Sequence, residues 1–327
     1  MNRPDAYNSD LTWETTTTYN VGLDFGFVNN RITGSLDYYF RETTDLLNTV
    51  YVPAGANFRN QVTSNIGSLE NTGFEASLNV KPIVTDDWYW DLGFNLTYNK
   101  NEITELIGEE GYYVATGGIS SGTGNTCQAH AVGHPASSFY VFQQVYDKNG
   151  LPLEGQYVDR NADGVINQDD KYFYKSPNAP WTAGFTSKLQ YKDWDFSFSL
   201  RASFDNYVFN DLEAGTSCVS SSQIWAPSEY LSNRPLNVLE KNWQTYDNVL
   251  SDYFVQNASF LKCDNITLGY SFDQLFGTKI SGRVYATASN VFTITDYKGI
   301  DPEVSYGIDN SLSPRPFTAL LGVSLNF

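Results

Sequence analysis

The chain has 327 residues, with only 17% charged side chains, 16% aromatics and a formal charge of −17. That acidic balance excludes a nucleic-acid binder, whose phosphates demand clustered Lys and Arg. Two His, and three Cys without CxxC spacing, exclude the usual kind of zinc centre. No run of about 18 apolar residues is present to form a transmembrane helix.

Met1-Asn2-Arg3-Pro4-Asp5 is polar and carries no signal-peptide pattern. Extended segments with two unlike faces then follow one another. Tyr19, Val21, Leu23, Phe25 and Phe27 alternate with Asn20, Gly22, Asp24 and Gly26. Ile32 to Phe40, Phe74 to Val80 and Trp88 to Tyr98 repeat the pattern, as do Trp181 to Gln190 and Trp194 to Ser203. Ile266 to Phe272 comes next, then a weaker strand around Arg283 to Val291. The closing run places Phe317, Ala319, Leu321, Val323, Leu325 and Phe327 on one face, over small or polar residues on the other, and ends on an aromatic. One side of each strand suits hydrocarbon and the other suits water. Asp, Lys and Arg at inward positions would be costly in a packed core but harmless in a water-filled lumen. Trp88, Trp181 and Trp194 near strand ends suit interfacial girdles.

The connections alternate strictly in length. Val28 to Asn30, Lys81 to Asp87, Lys192-Asp193 and Asp273 to Lys279 are short. Leu46 to Thr63, Glu105 to Pro180, Asn210 to Asn257 and Phe292 to Pro314 are long. Outer-membrane barrels have this polarity, with short periplasmic turns and long extracellular loops. A soluble β-sandwich or propeller has no reason for it. The reading gives about nine strands, whereas single-chain bacterial barrels use even numbers. Phe139 to Tyr146 offers a further strand, but the alternation would then require a partner for it. The fold class is therefore all-β: part of a transmembrane antiparallel barrel with unpaired edges and long extracellular loops.

Several stretches resemble SusC/RagA-type TonB-dependent outer-membrane transporters of Bacteroidota. They are Ser9-Asp10-Leu11-Thr12-Trp13-Glu14-Thr15-Thr16, Asn29 to Tyr39 with Thr44-Asp45-Leu46-Leu47, Asn65-Ile66-Gly67, and Asn71-Thr72-Gly73-Phe74-Glu75. The run Asn290 to Val304 and Ser313-Pro314-Arg315-Pro316 complete the set. Asn8-Ser9-Asp10 departs from the family's N-P-D. The resemblance implies that residues 1–327 are the C-terminal portion of the barrel, about nine to eleven strands of a 22-stranded wall. It implies that the signal peptide, TonB box, plug and early strands lie upstream, and that Phe327 is the barrel-assembly signal. It also implies import of an oligosaccharide or peptide, with a SusD-like lipoprotein as lid. The TonB complex would act through the missing plug, the wall would contact outer-membrane lipid, and the fragment alone would not transport.

Within the long loop 105–179, residues 159–170 have the spacing of a calcium loop. Asp159, Asn161 and Asp163 would supply side-chain oxygens, Val165 its carbonyl and Asp170 the final ligand. Gly164 allows the sharp turn and Ile166 would anchor the loop. Asp at the last position, where the EF-hand has Glu, implies weaker coordination. Cys127 and Cys218 fall in predicted loops, where a bridge and unbridged thiols fit equally well. Tyr112, Tyr113, Tyr140, Trp225 and Trp243 are candidates for stacking on substrate or partner, and packing of loop on loop is the alternative use. His130 and His134 stand four apart beside Gly133 and Pro135, which disfavours a helical metal pair. No GxSxG or P-loop is present, so no enzyme is expected. The competing functions are a surface glycan-binding or adhesin barrel without energised transport, and an outer-membrane hydrolase.

Overall fold

The computed structural model describes residues 6–53, 55–106, 111–122, 124–219, 235–245, 249–273, 277, 279–310 and 313–326. Trp225 and Phe327 lie outside the described residues. The chain enters through β1 (Thr15–Phe27), turns into β2 (Ile32–Thr44), and makes an outlying hairpin of β3 (Leu47–Tyr51) and β4 (Gln61–Asn65). Two long strands follow, β5 (Gly67–Val84) and β6 (Trp88–Leu106). Six short ones come next: β7 (Tyr113–Gly118), β8 (Thr126–Ala131), β9 (Ser138–Phe142), β10 (Gln144–Tyr146), β11 (Pro152–Tyr157) and β12 (Lys171–Phe173). After β13 (Trp181–Tyr191) and β14 (Trp194–Phe204) lie β15 (Tyr207–Phe209), α1 (Asp211–Thr216), α2 (Asn237–Lys241) and β16 (Val255–Asn257). β17 (Phe260–Phe272), β18 (Ser281–Thr295) and β19 (Thr318–Asn326) close the chain.

Nine strands form one antiparallel sheet in the order β1-β2-β5-β6-β13-β14-β17-β18-β19. The register explains why alternation was the dominant sequence signal. One row runs Leu23, Leu36, Ala76, Leu96, Ala183, Ala202, Leu261, Ile294 across eight consecutive strands, each paired with the next. A one-residue slip anywhere would turn that row to the wrong face. The outward apolar side chains find no cover in the chain: Val21 is 76% exposed and Leu321 85%. Each such side chain left in water forgoes roughly 1.5–3 kcal/mol, so only hydrocarbon makes this face tolerable. Paired strands of 11 residues, as in β13 and β14, match the roughly 9–11 residues a tilted strand needs to cross a bilayer.

The dry core lies elsewhere. Phe139, Phe209, Trp243, Phe254, Cys127 and Ile119 are buried together in the long connections, at one end of the sheet. Phe139 to Tyr146 belongs to this unit. It is divided between β9, in a four-stranded sheet, and β10, in a two-stranded one, and adds no strand to the wall. Two boundaries also move. β5 continues past Lys81 to Val84, because a bulge between Val80 and Ile83 absorbs Pro82, which has no N–H for the ladder. β18 runs on to Thr295, so its loop begins at Asp296 rather than Phe292. Cys127, Cys218 and Cys263 are all buried and none is in a disulfide.

Candidate functional site

Many inward-facing residues of the wall are small or polar. Asn79, Asn95, Thr182, Thr186 and Ser199 line a cavity of 860 Å³ on the lumen side, beneath the long loops. Arg201 and Asp264 stand at its loop end, and Pro302, Glu303 and Val304 form part of its rim. Apart from that charged corner, the polar groups named here are neutral amides and hydroxyls. Such a surface hydrogen-bonds a solute in either sense, as donor or acceptor.

The charged corner is a lock. Arg201 Nε donates to Asp264 Oδ2 at 3.0 Å, and Arg201 Nη2 donates to Glu303 Oε2 at 3.1 Å. Lys262, buried on the adjacent strand, donates to Asp301 Oδ1 at 2.7 Å and Glu303 Oε2 at 3.1 Å. Arg315 adds a bond to the same Glu303 oxygen at 2.8 Å. Burial pushes the Glu303 carboxyl up, but the hydrogen bonds and charges of Arg201 and Lys262 outweigh it and hold the group at about 2. The connection 296–317 is thereby fastened to the inner wall. It also reaches the other loops: Gln128 Nε2 donates to the Tyr306 carbonyl at 2.8 Å, and Tyr297 Oη donates to Asp309 Oδ2 at 2.8 Å. Spacing could not have shown this corner, because its partners lie up to 102 residues apart. The Asp301-Pro302-Glu303 run was noticed in the sequence only for its likeness to a family.

The loop aromatics divide. Tyr140 brings together Tyr113 and Phe173, each with ring centroids 4.8 Å from its own, and His134 stacks on Phe173 at 4.1 Å. Tyr112 and Tyr113 are both exposed. Trp243 does not join them. It is 1% exposed, packs edge-on against Phe254, and donates from Nε1 to the Pro152 carbonyl at 3.1 Å; the expectation of a contact residue is corrected to a core residue. His130 Nδ1 accepts the Ser137 N–H at 3.1 Å. Desolvation pushes both imidazoles down, so each serves as a neutral packing group.

The 159–170 loop closes on itself. Asp159 Oδ2 accepts the Gly164 N–H at 2.8 Å, with Gly164 at φ +82°, where a side chain would be strained. Asn161 Oδ1 accepts the Asp163 N–H at 3.1 Å, and Asp163 Oδ1 accepts the Val165 N–H at 2.8 Å. Asn167 caps the turn Gln168–Asp170 in a reciprocal capping box. Asp170, fully buried, accepts from the backbone of Asn167 at 2.9 Å and of Arg160 at 2.8 Å, bonds that hold its carboxyl below the usual range despite burial. Val165 is exposed, and Ile166 is too, so Ile166 does not anchor the loop as expected. Among the described residues no three His, Cys, Asp or Glu side chains are gathered around one point; Asp163 Oδ2 is turned to the Asn161 amide at 3.0 Å.

Comparison with known proteins gives this wall its kin. Residues 2–126 match the family model "TonB dependent receptor-like, beta-barrel". The chain is 54% identical to the TonB-dependent receptor SusC of Bacteroides thetaiotaomicron, over 99% of its own length and 33% of that protein. The chain is a SusC/RagA-like stretch of TonB-dependent receptor barrel. The TonB-dependent receptor P3 of Formosa agariphila is 29% identical over 94% of the chain. The solved RagAB peptide transporter superimposes with a TM-score of 0.77 at 25% identity, over 98% of this chain and 36% of that one. The chain thus spans about a third of the length of these relatives. The SusC-like wall resides in the outer membrane, which sets its short turns at the periplasmic side and the loop unit outside.

Proposed function

We propose that this SusC-like wall serves the import of an oligosaccharide through the outer membrane, as part of a longer transporter. The observation that carries the reading is the lumen cavity, where Asn95, Thr182, Thr186 and Ser199 present neutral donors and acceptors suited to sugar hydroxyls. The strip of Tyr113, Tyr140 and Phe173 in the loops offers ring faces for stacking. In this reading residues 1–327 are the later portion of the barrel, a plug encoded upstream couples it to the TonB complex, and a SusD-like lipoprotein covers the loops. Catalysis has no part in it, since the relatives are named as receptors and transporters and both histidines are occupied in packing. Peptide import is the second reading, favoured by the likeness to the RagAB peptide transporter.

The test is growth of cells carrying or lacking the gene on neutral oligosaccharides, and on short peptides, as sole carbon source. The oligosaccharide reading expects a defect confined to a sugar. In the complete transporter Tyr140→Ala should then raise the concentration of that sugar needed for half-maximal uptake several-fold. A defect confined to peptides would replace it with the second reading.

A further inference from the structure

The connection 296–317 is fastened down on both sides of one displayed ring. Before that ring, Glu303 is held by Arg201, Lys262 and Arg315, and Val304 packs against the buried group Val208, Ala258 and Tyr297. After it, Gly307 and Asp309 are buried, Ile308 packs on the loop core, and the Asp309 N–H donates to the Phe209 carbonyl at 2.9 Å. Between these anchors Tyr306 is 86% exposed, against 37% for Tyr113.

The backbone is set for the display. Tyr306 has φ +59° and ψ 7°, and is the one aromatic residue with a positive φ among the described residues. A bulky side chain is strained in this left-handed region, and such positions ordinarily fall to Gly, Asn or Asp. The conformation persists because its surroundings over-determine it. Gln128, itself buried, donates from Nε2 to the Tyr306 carbonyl at 2.8 Å. Gly307 lies so close to Pro177 that a Cβ there would stand 2.3 Å from the proline Cβ. Val304 and Pro177 both line the lumen cavity, so the turn between Val304 and Gly307 runs along its rim. Tyr306 therefore stands where a solute leaves the loops and enters the wall.

We propose that Tyr306 is a sugar-binding residue at the mouth of the lumen cavity, its ring stacking on the apolar face of a pyranose unit as an oligosaccharide enters. This deepens the import reading and rests on it. A pyranose carries hydroxyls around its edge and C–H groups across its faces. The amides and hydroxyls of Asn95, Thr182, Thr186 and Ser199 answer the edge. A flat aromatic surface answers the face. Tyr306 offers that surface on a backbone already held at both ends, so contact orders the ring alone and little freedom is lost on binding. The strained turn is thus put to use: it keeps the ring out of the loop core, where the neighbouring residues are buried.

The test uses cells carrying the complete transporter. The probes are end-labelled linear hexamers of α-linked glucose, β-linked glucose, galactose, mannose and xylose. Tyr306→Gly removes the ring and suits the left-handed backbone, so the turn keeps its fold. Tyr306→Phe keeps the ring face. For a hexamer that the wild type takes up, Tyr306→Gly should raise the concentration for half-maximal uptake about three- to tenfold. Its maximal rate and its amount in the outer membrane should not change, and Tyr306→Phe should behave as the wild type. An unchanged half-maximal concentration in Tyr306→Gly overturns the role of Tyr306 and leaves import standing. A fall in maximal rate alone also overturns it, and assigns the ring to contact with another part of the transporter. Failure of the wild type to take up any of the hexamers overturns the pyranose face as the ligand; the import reading is then decided by its own growth test.

Discussion

Arg283 Nε donates to Asp195 Oδ1 at 2.8 Å across a whole intervening strand. The two residues stand on β18 and β14, and the guanidinium passes over Gly269 of β17. A Cβ at Gly269 would lie 2.5 Å from both Arg283 Nη2 and Asp195 Oδ1. The glycine is therefore a gap in the inner wall through which an ion pair ties three strands. Gly269→Val should break the pair and destabilise the folded wall by roughly 1.5–3 kcal/mol, the worth of hydrogen bonds between charged groups. The check is the temperature at which the heat-modifiable band is lost on SDS gels. Asp195→Asn, which leaves the gap open, should lower that temperature less.

The two faces of β13 should respond oppositely to charge. Phe185 lies on the apolar face of the register, opposite Phe94 and Leu200, whereas Thr186 lies on the other face, opposite Gly93 and Ser199. Phe185→Arg should cost roughly 2–4 kcal/mol near the bilayer midplane and cut the amount of protein assembled in the membrane. Thr186→Arg should assemble normally. Equal yields of the two variants, by quantitative blotting of outer membranes, would contradict the assignment of faces.

Acid should unfasten the connection 296–317. Glu303 is held at about 2 against an ordinary value of 4.5. A depressed carboxylate stabilises fully above its unfolded value and loses that contribution as pH falls towards the folded one. Hydrogen exchange at Asp301 to Val304 should therefore be flat from pH 8 to pH 5 once corrected for intrinsic rates, and lose protection from about 4.5 downwards. Glu303→Gln should show the low-pH behaviour already at pH 7, since Arg201, Lys262 and Arg315 then share only a neutral amide at that point.

Trp243→Ala should empty the centre of the loop unit, at a cost of roughly 3–5 kcal/mol. The loss should be confined to the loops: proteolysis of residues 111–180 accelerates while the heat-modifiable band persists. Trp243→Phe should do less damage, although it leaves the Pro152 carbonyl without its donor.

The wall was legible because its physics is local. Period-two alternation from Tyr19 to Phe27 or Trp194 to Ala202 states directly which side chains meet lipid, and all nine strands could be read that way. Where alternation is diluted by small or polar residues, as at Ala286, Ala288 and Asn290 in β18, the boundary was misplaced. The loop unit was much less legible. Its core joins Phe139, Phe209, Trp243 and Phe254, residues far apart in the chain. Trp243, in a stretch without periodicity, carried no sign that it would be buried. Tyr113 and Tyr140 were singled out for their chemistry alone, and that they meet through Phe173 required the pairing of β12 with β9.

An odd number of crossings has a topographical consequence. β1 starts among the outer loops and β19 finishes at the opposite leaflet, so Thr15 and Asn326 face different compartments. An epitope inserted beside Trp13 should be stained by antibody on intact cells. One placed after Asn326 should be reached only once the envelope is opened. Any segment joined ahead of β1 must approach from outside the cell surface, and anything appended to β19 would be delivered to the side where the short turns lie.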